Sequence, residues 1–221
     1  FGLICVLLII SLPARASTTI PTTATFVYVT DFLSGRVLIE KQKDAPMKPA
    51  SMAKIMTAYI VFDRIAEGTL TLTDQFIVSE KAWKMGGSRS FLQAGRSYSL
   101  DELLHGVIVQ SGNDAAVVIA EGISGTEDNF AAEMNMTAAK LGMKNTKFTN
   151  STGWPDPELT TTAHDLALLS TAIIKNFPVE KFPELYPIFK KKTYTLNGIK
   201  QGNRNPLLYG KSSQSKGVDG L

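Results

Sequence analysis

Apolar positions along this chain change their spacing several times, and each change predicts an element. The first twelve residues, FGLICVLLIISL, form an almost unbroken apolar run, followed by Pro13-Ala14-Arg15-Ala16-Ser17 and a polar stretch. Residues 25–30 and 36–40 are rich in β-branched and aromatic side chains and flank a Ser34-Gly35 turn, which predicts a β-hairpin. From position 51 the spacing becomes helical. Met52, Ile55, Met56, Tyr59 and Ile60 form one apolar stripe, so a helix is predicted over 51–66, with Gly68 as its stop. Ser99-Leu100-Asp101-Glu102 is a capping box ahead of Leu103, Leu104, Val107 and Ile108, predicting a helix that ends near Val109. An Ala- and Val-rich helix should run from about Asp114 to Glu121. Another covers 126–141, stopped by Gly142, and a third, capped by Thr162, reaches about Lys175. Residues 192–196 read as a returning strand. The middle of the chain is therefore helical, and both flanks carry strands.

The apolar start has its own reading. Twelve residues are too few to span a membrane as a permanent helix. Ala14-Arg15-Ala16 fits a signal-peptidase site. The expectation is a secretory signal peptide over 1–16 without its basic n-region, a linker over 17–24, and a catalytic domain over 25–221. Cys5, the only cysteine, lies in the segment to be removed. A mature chain without cysteine can have neither a disulfide nor a cysteine-metal site, which is compatible with an exported bacterial protein. A net charge of +3 is too small to suggest nucleic acid, and no basic-aromatic pattern supports it.

Candidate chemistry is concentrated in Pro49-Ala50-Ser51-Met52-Ala53-Lys54. Ser51 and Lys54 are three residues apart, close to one helical turn, so both side chains project from one face. A serine hydroxyl is a poor nucleophile until a base takes its proton. A lysine one turn away can do so if its surroundings lower its pKa. The helix start also aims backbone N–H groups outward, where they can stabilise an oxyanion. Ser111-Gly112-Asn113 falls between two predicted helices, where Gly112 allows a tight turn. Read separately, Ser51 is a plain helix cap and Ser111-Gly112-Asn113 an ordinary turn; read together, S-x-x-K and S-x-N resemble two of the three motifs, with K-T-G, that mark penicillin-reactive serine enzymes. Other residues carry blander readings. His105 lies in an apolar helix and reads as core or edge. His164 stands beside Asp165 with no third ligand, no H-E-x-x-H pattern occurs, and neither metal nor organic cofactor is expected. Lys190-Lys191-Lys192 reads as a solvated strand entry, and the loop containing Glu158 as surface.

These motifs, with Gln110-Ser111-Gly112-Asn113-Asp114-Ala115-Ala116, Phe148-x-Asn150-x-x-Gly153, Thr161-Thr162-Ala163-x-Asp165-Leu166-Ala167, Tyr186-Pro187-Ile188-Phe189 and Asn203-Arg204-Asn205, resemble the serine-type D-Ala-D-Ala carboxypeptidases, the low-molecular-mass penicillin-binding proteins of the peptidase S11 family. The resemblance runs from about Phe26 to the end. It implies an α/β (α+β) fold of the serine β-lactamase/transpeptidase type, an antiparallel sheet flanked by helices, with an all-helical subdomain over about 54–174. It implies Ser51 as acyl-ester nucleophile, Lys54 as general base and Ser111 as proton relay to the departing amine. Asn113, with Gly112, would bind the substrate backbone. The implied partners are the peptidoglycan stem pentapeptide ending in D-Ala-D-Ala and, as covalent inhibitors, β-lactam antibiotics. The implied location is the periplasm, on the outer face of the cytoplasmic membrane. A β-lactamase of the same fold and a non-catalytic peptidoglycan-binding relative are the rival expectations. In the family a Lys-Thr-Gly motif follows a Val-Asp-Gly segment. Here Gly217-Val218-Asp219-Gly220-Leu221 closes the sequence, so the expectation is a chain cut just before that motif, lacking later strands and any C-terminal membrane-surface helix. Residues 17–221 alone would then be inactive.

Overall fold

The computed structural model describes residues 22–210 and 220–221. The expected signal peptide, most of the linker, and Gly217, Val218 and Asp219 lie outside the described residues. No helix among the described residues is long and apolar enough to cross a membrane.

The predicted N-terminal hairpin is present: β1 (Val27–Thr30) pairs antiparallel with β2 (Val37–Lys41), and Gly35 turns between them with φ +69°. A 3-10 turn, Ala50–Ala53, leads directly into α1 (Lys54–Ala66). α1 is buried on most of its circumference, from Met56 to Phe62. It packs against α3 (Leu100–Val109), α4 (Asn113–Ser124), α5 (Glu127–Lys140) and α6 (Ala163–Asn176). α4 is more deeply enclosed still. Its residues Ala115, Ala116, Val117, Val118, Ile119 and Ala120 are all buried, as expected of a helix that is apolar all round. An edge-to-face aromatic cluster ties α1 to the end of α6 and the 3-10 turn Tyr186–Lys190 beyond it: Phe62 meets Phe177 at 5.5 Å and Phe189 at 6.2 Å. Each such ring contributes about 1.5–3 kcal/mol by leaving water.

Two features depart from the expected pattern. The helical middle also contains a short ladder, β3 (Gln75–Ile77) with β4 (Ser97–Ser99), and a five-residue helix α2 (Glu80–Lys84) between them. Three-residue strands are too short for a period-two pattern to show. The returning strand, β5 (Thr193–Leu196), is half of a second hairpin with β6 (Ile199–Gly202). Asn197 and Gly198 join the two strands, both at positive φ, the conformation that Asn-Gly adopts in tight hairpin turns. The three antiparallel pairs remain separate two-stranded sheets among the described residues.

Helix starts follow their chemistry. Ser99 accepts from the Glu102 N–H while the Glu102 carboxylate accepts from the Ser99 N–H, completing the capping box. Thr126 and Thr162 cap α5 and α6 through the N–H groups of Asn129 and Asp165. α3 forms one wall of the cleft described below, so its cap bears on the site. Ser99→Ala should lower the unfolding free energy by about 1 kcal/mol, read from the urea midpoint. An unchanged midpoint would show that the cap contributes nothing.

Candidate active site

Three of the residues singled out in the sequence converge on one cavity of about 240 Å³: Ser51, Lys54 and Ser111. The 3-10 turn exposes Ser51, while Lys54, the first residue of α1, is only 4% exposed. Lys54 Nζ stands 3.3 Å from Ser51 Oγ and donates to the Thr152 carbonyl at 2.6 Å. Burial is the main force on this amine, and the Arg204 guanidinium adds to it. Against the opposing pull of Asp114, they lower the Lys54 pKa to about 7. Near neutral pH a large fraction of Lys54 is therefore uncharged, with a lone pair free to take a proton from Ser51.

The turn that carries Ser51 is held under strain. Ala50, immediately before Ser51, has φ +47°, a left-handed conformation that costs a residue with a Cβ. Its carbonyl presses on Gly153, where an added Cβ would collide with the Ala50 oxygen and lie 3.1 Å from the Ser51 nitrogen. Only glycine fits there, and Gly153 is itself at φ +77°. The segment carrying it is shaped by Asn150, whose Oδ1 accepts from the N–H groups of Thr152, Gly153 and Trp154. Lys48, one residue before Pro49, donates to the carbonyls of Asp156, Pro157 and Leu159 and so fastens the next stretch of this loop.

The opposite wall is the joint between α3 and α4. Ser111 is also left-handed, at φ +61°. Its hydroxyl is buried and has no hydrogen-bond partner among the described residues. Gly112 passes so close to Ser90 that a Cβ would collide with the Ser90 hydroxyl. Asp114 is fully buried and accepts from the Ser90 N–H at 2.7 Å and the Leu92 N–H at 3.2 Å, locking the 88–92 loop onto α4. Gly112 and Asn113 do not line the cavity. The Asn113 side chain donates to the Gly86 carbonyl at 2.8 Å, so it organises the loop beside the cleft. Ile55, Val107, Ile108 and Phe189 give the cavity an apolar lining, and Arg204 lines it as well. Arg204 is fixed through its backbone N–H to the Val109 carbonyl and its guanidinium to the Ser88 hydroxyl.

Sequence reasoning missed the Thr152 carbonyl, the roles of Asp114 and Lys48, and the closeness of Arg204 to Lys54. The last three are carried by identifiable side chains, but each acts across a long sequence separation that no periodicity reports. The blander readings fit the geometry. His105 is buried, its Nδ1–H placed to donate to the Asp101 carbonyl at 2.8 Å, with its Nε2 2.6 Å from Lys191 Nζ. The same contact gives Lys191 a partner within the run that reads as solvated. His164 pairs with Asp44 on the surface. Glu158 is exposed and paired with Lys147 at 2.9 Å.

A serine beside a buried amine one turn away, with a second serine lining the same cavity, is an arrangement suited to serine acyl transfer. Comparison with known proteins gives the class. The profile of the peptidase S11 family, D-alanyl-D-alanine carboxypeptidase, matches residues 14–220, and the chain belongs to that family. It is 40% identical over 197 residues to D-alanyl-D-alanine carboxypeptidase DacC of Escherichia coli, covering 86% of this chain and 47% of that protein. It is 39% identical to DacA of Haemophilus influenzae, covering 90% and 49%. The chain thus spans about half the length of these curated relatives. Among solved structures, penicillin binding protein 5 from Haemophilus influenzae matches with a TM-score of 0.81 at 39% identity, covering 86% of this chain and 55% of that one. Penicillin-binding protein D2 from Listeria monocytogenes, in its ampicillin-bound form, matches with a TM-score of 0.76 at 28% identity, covering 91% and 79%. The fold is accordingly that of the serine β-lactamase/transpeptidase type.

Lys54 makes the site expensive. Its folded pKa lies below the ordinary lysine value of about 10.4, so between about pH 7 and pH 10 the unfolded chain binds more protons, and stability rises with pH. The penalty is complete below about pH 7. Lys54→Met should therefore raise the thermal midpoint at pH 6, and the gain should shrink as the pH approaches 10. A midpoint that falls equally at both pH values would show that Lys54 is not buried at a cost.

Proposed function

We propose that the protein is a serine-type D-alanyl-D-alanine carboxypeptidase that removes the terminal D-Ala from peptidoglycan stem pentapeptides. The observation that carries this is the Ser51–Lys54 pair, a hydroxyl beside an amine whose pKa is lowered to about 7, sharing one cavity with the buried Ser111 hydroxyl. The curated relatives carry the same activity in their names.

In this reading Lys54 Nζ takes the Ser51 hydroxyl proton as Oγ attacks the carbonyl carbon of the penultimate D-Ala. The Ser51 backbone N–H stabilises the oxyanion. The proton passes by way of Ser111 to the amine of the terminal D-Ala, the C–N bond breaks, and an ester on Ser51 remains. Water then attacks that ester, its hydroxyl joining the acyl carbon and its other proton going to Ser51 Oγ as the C–Oγ bond breaks and the shortened peptide is released. The Ser111 hydroxyl suits the relay because nothing in the surrounding described residues fixes its donor or acceptor role. β-Lactams would acylate Ser51 by the same attack, with the ring C–N bond as the one that opens. A β-lactamase reading has less support, because the loop carboxylate of Glu158 points to Lys147 on the surface. The signal-like pattern of residues 1–16 supports a periplasmic location, at the outer face of the cytoplasmic membrane, where such a substrate is met.

The test uses the full-length protein. A fluorescent penicillin should label it, with the mass-spectrometric adduct on Ser51, and D-Ala should be released from a synthetic pentapeptide. Ser51→Ala should abolish both. Lys54→Ala should slow acylation by about 10²–10⁴-fold while the fold persists. An adduct on any other residue, or acylation of the Lys54 variant at the parent rate, would overturn the reading.

A further inference from the structure

Glu127 is the one carboxylate on α5 buried against the site segment, and the reaction described above does not use it. It opens α5, immediately after the Thr126 cap. Its Oε1 accepts from both the N–H and the hydroxyl of Ser151, at 3.2 Å and 2.7 Å. Its Oε2 meets Lys81 Nζ of α2 at 2.8 Å. The Ser151 carbonyl in turn accepts from the Thr57 hydroxyl of α1 at 2.7 Å. Thr57 is one turn beyond Lys54, and the residue after Ser151 is Thr152, whose carbonyl holds Lys54 Nζ.

These contacts form one chain from α2 through α5 and the 151–152 segment to the amine. Ser151 is gripped on one side by a carboxylate and on the other by α1, and both Ser151 and Thr57 are fully buried. Ser151 is thereby held at its N–H, its hydroxyl and its carbonyl, and only the two soft backbone dihedrals of Thr152 separate it from the carbonyl that meets Lys54. A charge-assisted bond from a buried hydroxyl is stronger than a neutral one. Its loss would leave Ser151 donors unpaired in a water-poor interior.

We infer that Glu127 is a positioning residue for the proton-accepting amine: through Ser151 it sets the Thr152 carbonyl that aims Lys54 Nζ at Ser51. The inference rests on the reading of Lys54 as the base. The same segment also encloses Lys54. Arg204 and Asp114 are the charged groups that act on Lys54, and Glu127 is not among them. An effect of Glu127 on Lys54 is therefore transmitted by geometry.

Three variants separate positioning from bulk stability. Glu127→Gln keeps an oxygen that accepts from Ser151 but drops the charge opposite Lys81. Glu127→Ala removes the acceptor. Ser151→Ala removes only the hydroxyl donor and is the milder variant should Glu127→Ala fail to fold. For each, the penicillin acylation rate constant and the noncovalent dissociation constant are measured separately, with Ser51→Ala as blank. The expected result is a tenfold or larger loss of the rate constant in Glu127→Ala, a three- to tenfold loss in Ser151→Ala, and dissociation constants within twofold of parent. Glu127→Gln should stay within threefold of parent. An acylation rate in folded Glu127→Ala or Ser151→Ala within twofold of parent overturns the inference, as does a Glu127→Gln variant as slow as Glu127→Ala. If the parent itself is not acylated at Ser51, the reading of the reaction fails, and the Lys54 titration decides the inference. A midpoint raised by at least one pH unit in Glu127→Ala or Ser151→Ala but not in Glu127→Gln upholds it, and an unmoved midpoint overturns it.

Discussion

Everything around Ser51 depends on one constraint: a lysine amine has been taken out of water. A charged ammonium in an apolar interior is costly, and the group responds by giving up its proton more readily. The fold arranges this by starting α1 at Lys54 and covering the side chain with the 150–153 segment and the α3–α4 joint. Arg204 reinforces the effect, while Asp114 opposes it and at the same time latches the 88–92 loop. Destabilisation and reactivity here have one cause, since the burial that makes Lys54 costly also leaves it with a free lone pair.

Strain is placed beside the same amine. Of the five non-glycine residues at positive φ among the described residues, Ala50 adjoins Ser51 and Ser111 lines the same cavity. Neither conformation would persist without rigid surroundings. Ala50 is held by the close passage of Gly153, and Ser111 by the turn in which Gly112 meets Ser90. Both glycines lie in stretches whose neighbours are pinned to buried helices. The apolar mass of α1 and α4 thus serves the chemistry as well as the core, because it is the rigid block against which two unfavourable backbone conformations are maintained.

Much of this is legible in the sequence. The helix of Lys54, the capping box at Ser99, the Thr162 cap and the first hairpin all follow from local spacing and cap chemistry. Ser51, Lys54 and Ser111 stand out because a family pattern joins them, and the structure brings those three to one cavity. The expected backbone-binding role of Asn113 is not visible in the geometry, because its amide is engaged with Gly86. What stays hidden is of another kind. The Thr152 carbonyl is a main-chain atom and has no sequence signature. Glu127, Asp114, Lys48 and Arg204 act on partners far away in the chain, where only the folded arrangement gives them a role. The β3–β4 ladder escapes because three-residue strands carry no period. β6 escapes because it is a four-residue strand whose only local signal is the Asn197-Gly198 turn before it.

The central claim is that a large fraction of Lys54, about half, is uncharged beside Ser51 at neutral pH. The most direct measurement is the titration of its own side chain, followed by the ¹³Cε resonance of isotopically labelled lysine from pH 5 to pH 11, with Lys54→Met supplying the assignment. The account predicts a midpoint at about 7, far below the ordinary lysine range. A midpoint at or above about 10, the value of an unperturbed lysine, would mean that the amine stays charged at neutral pH, and Lys54 could not then be the base that activates Ser51.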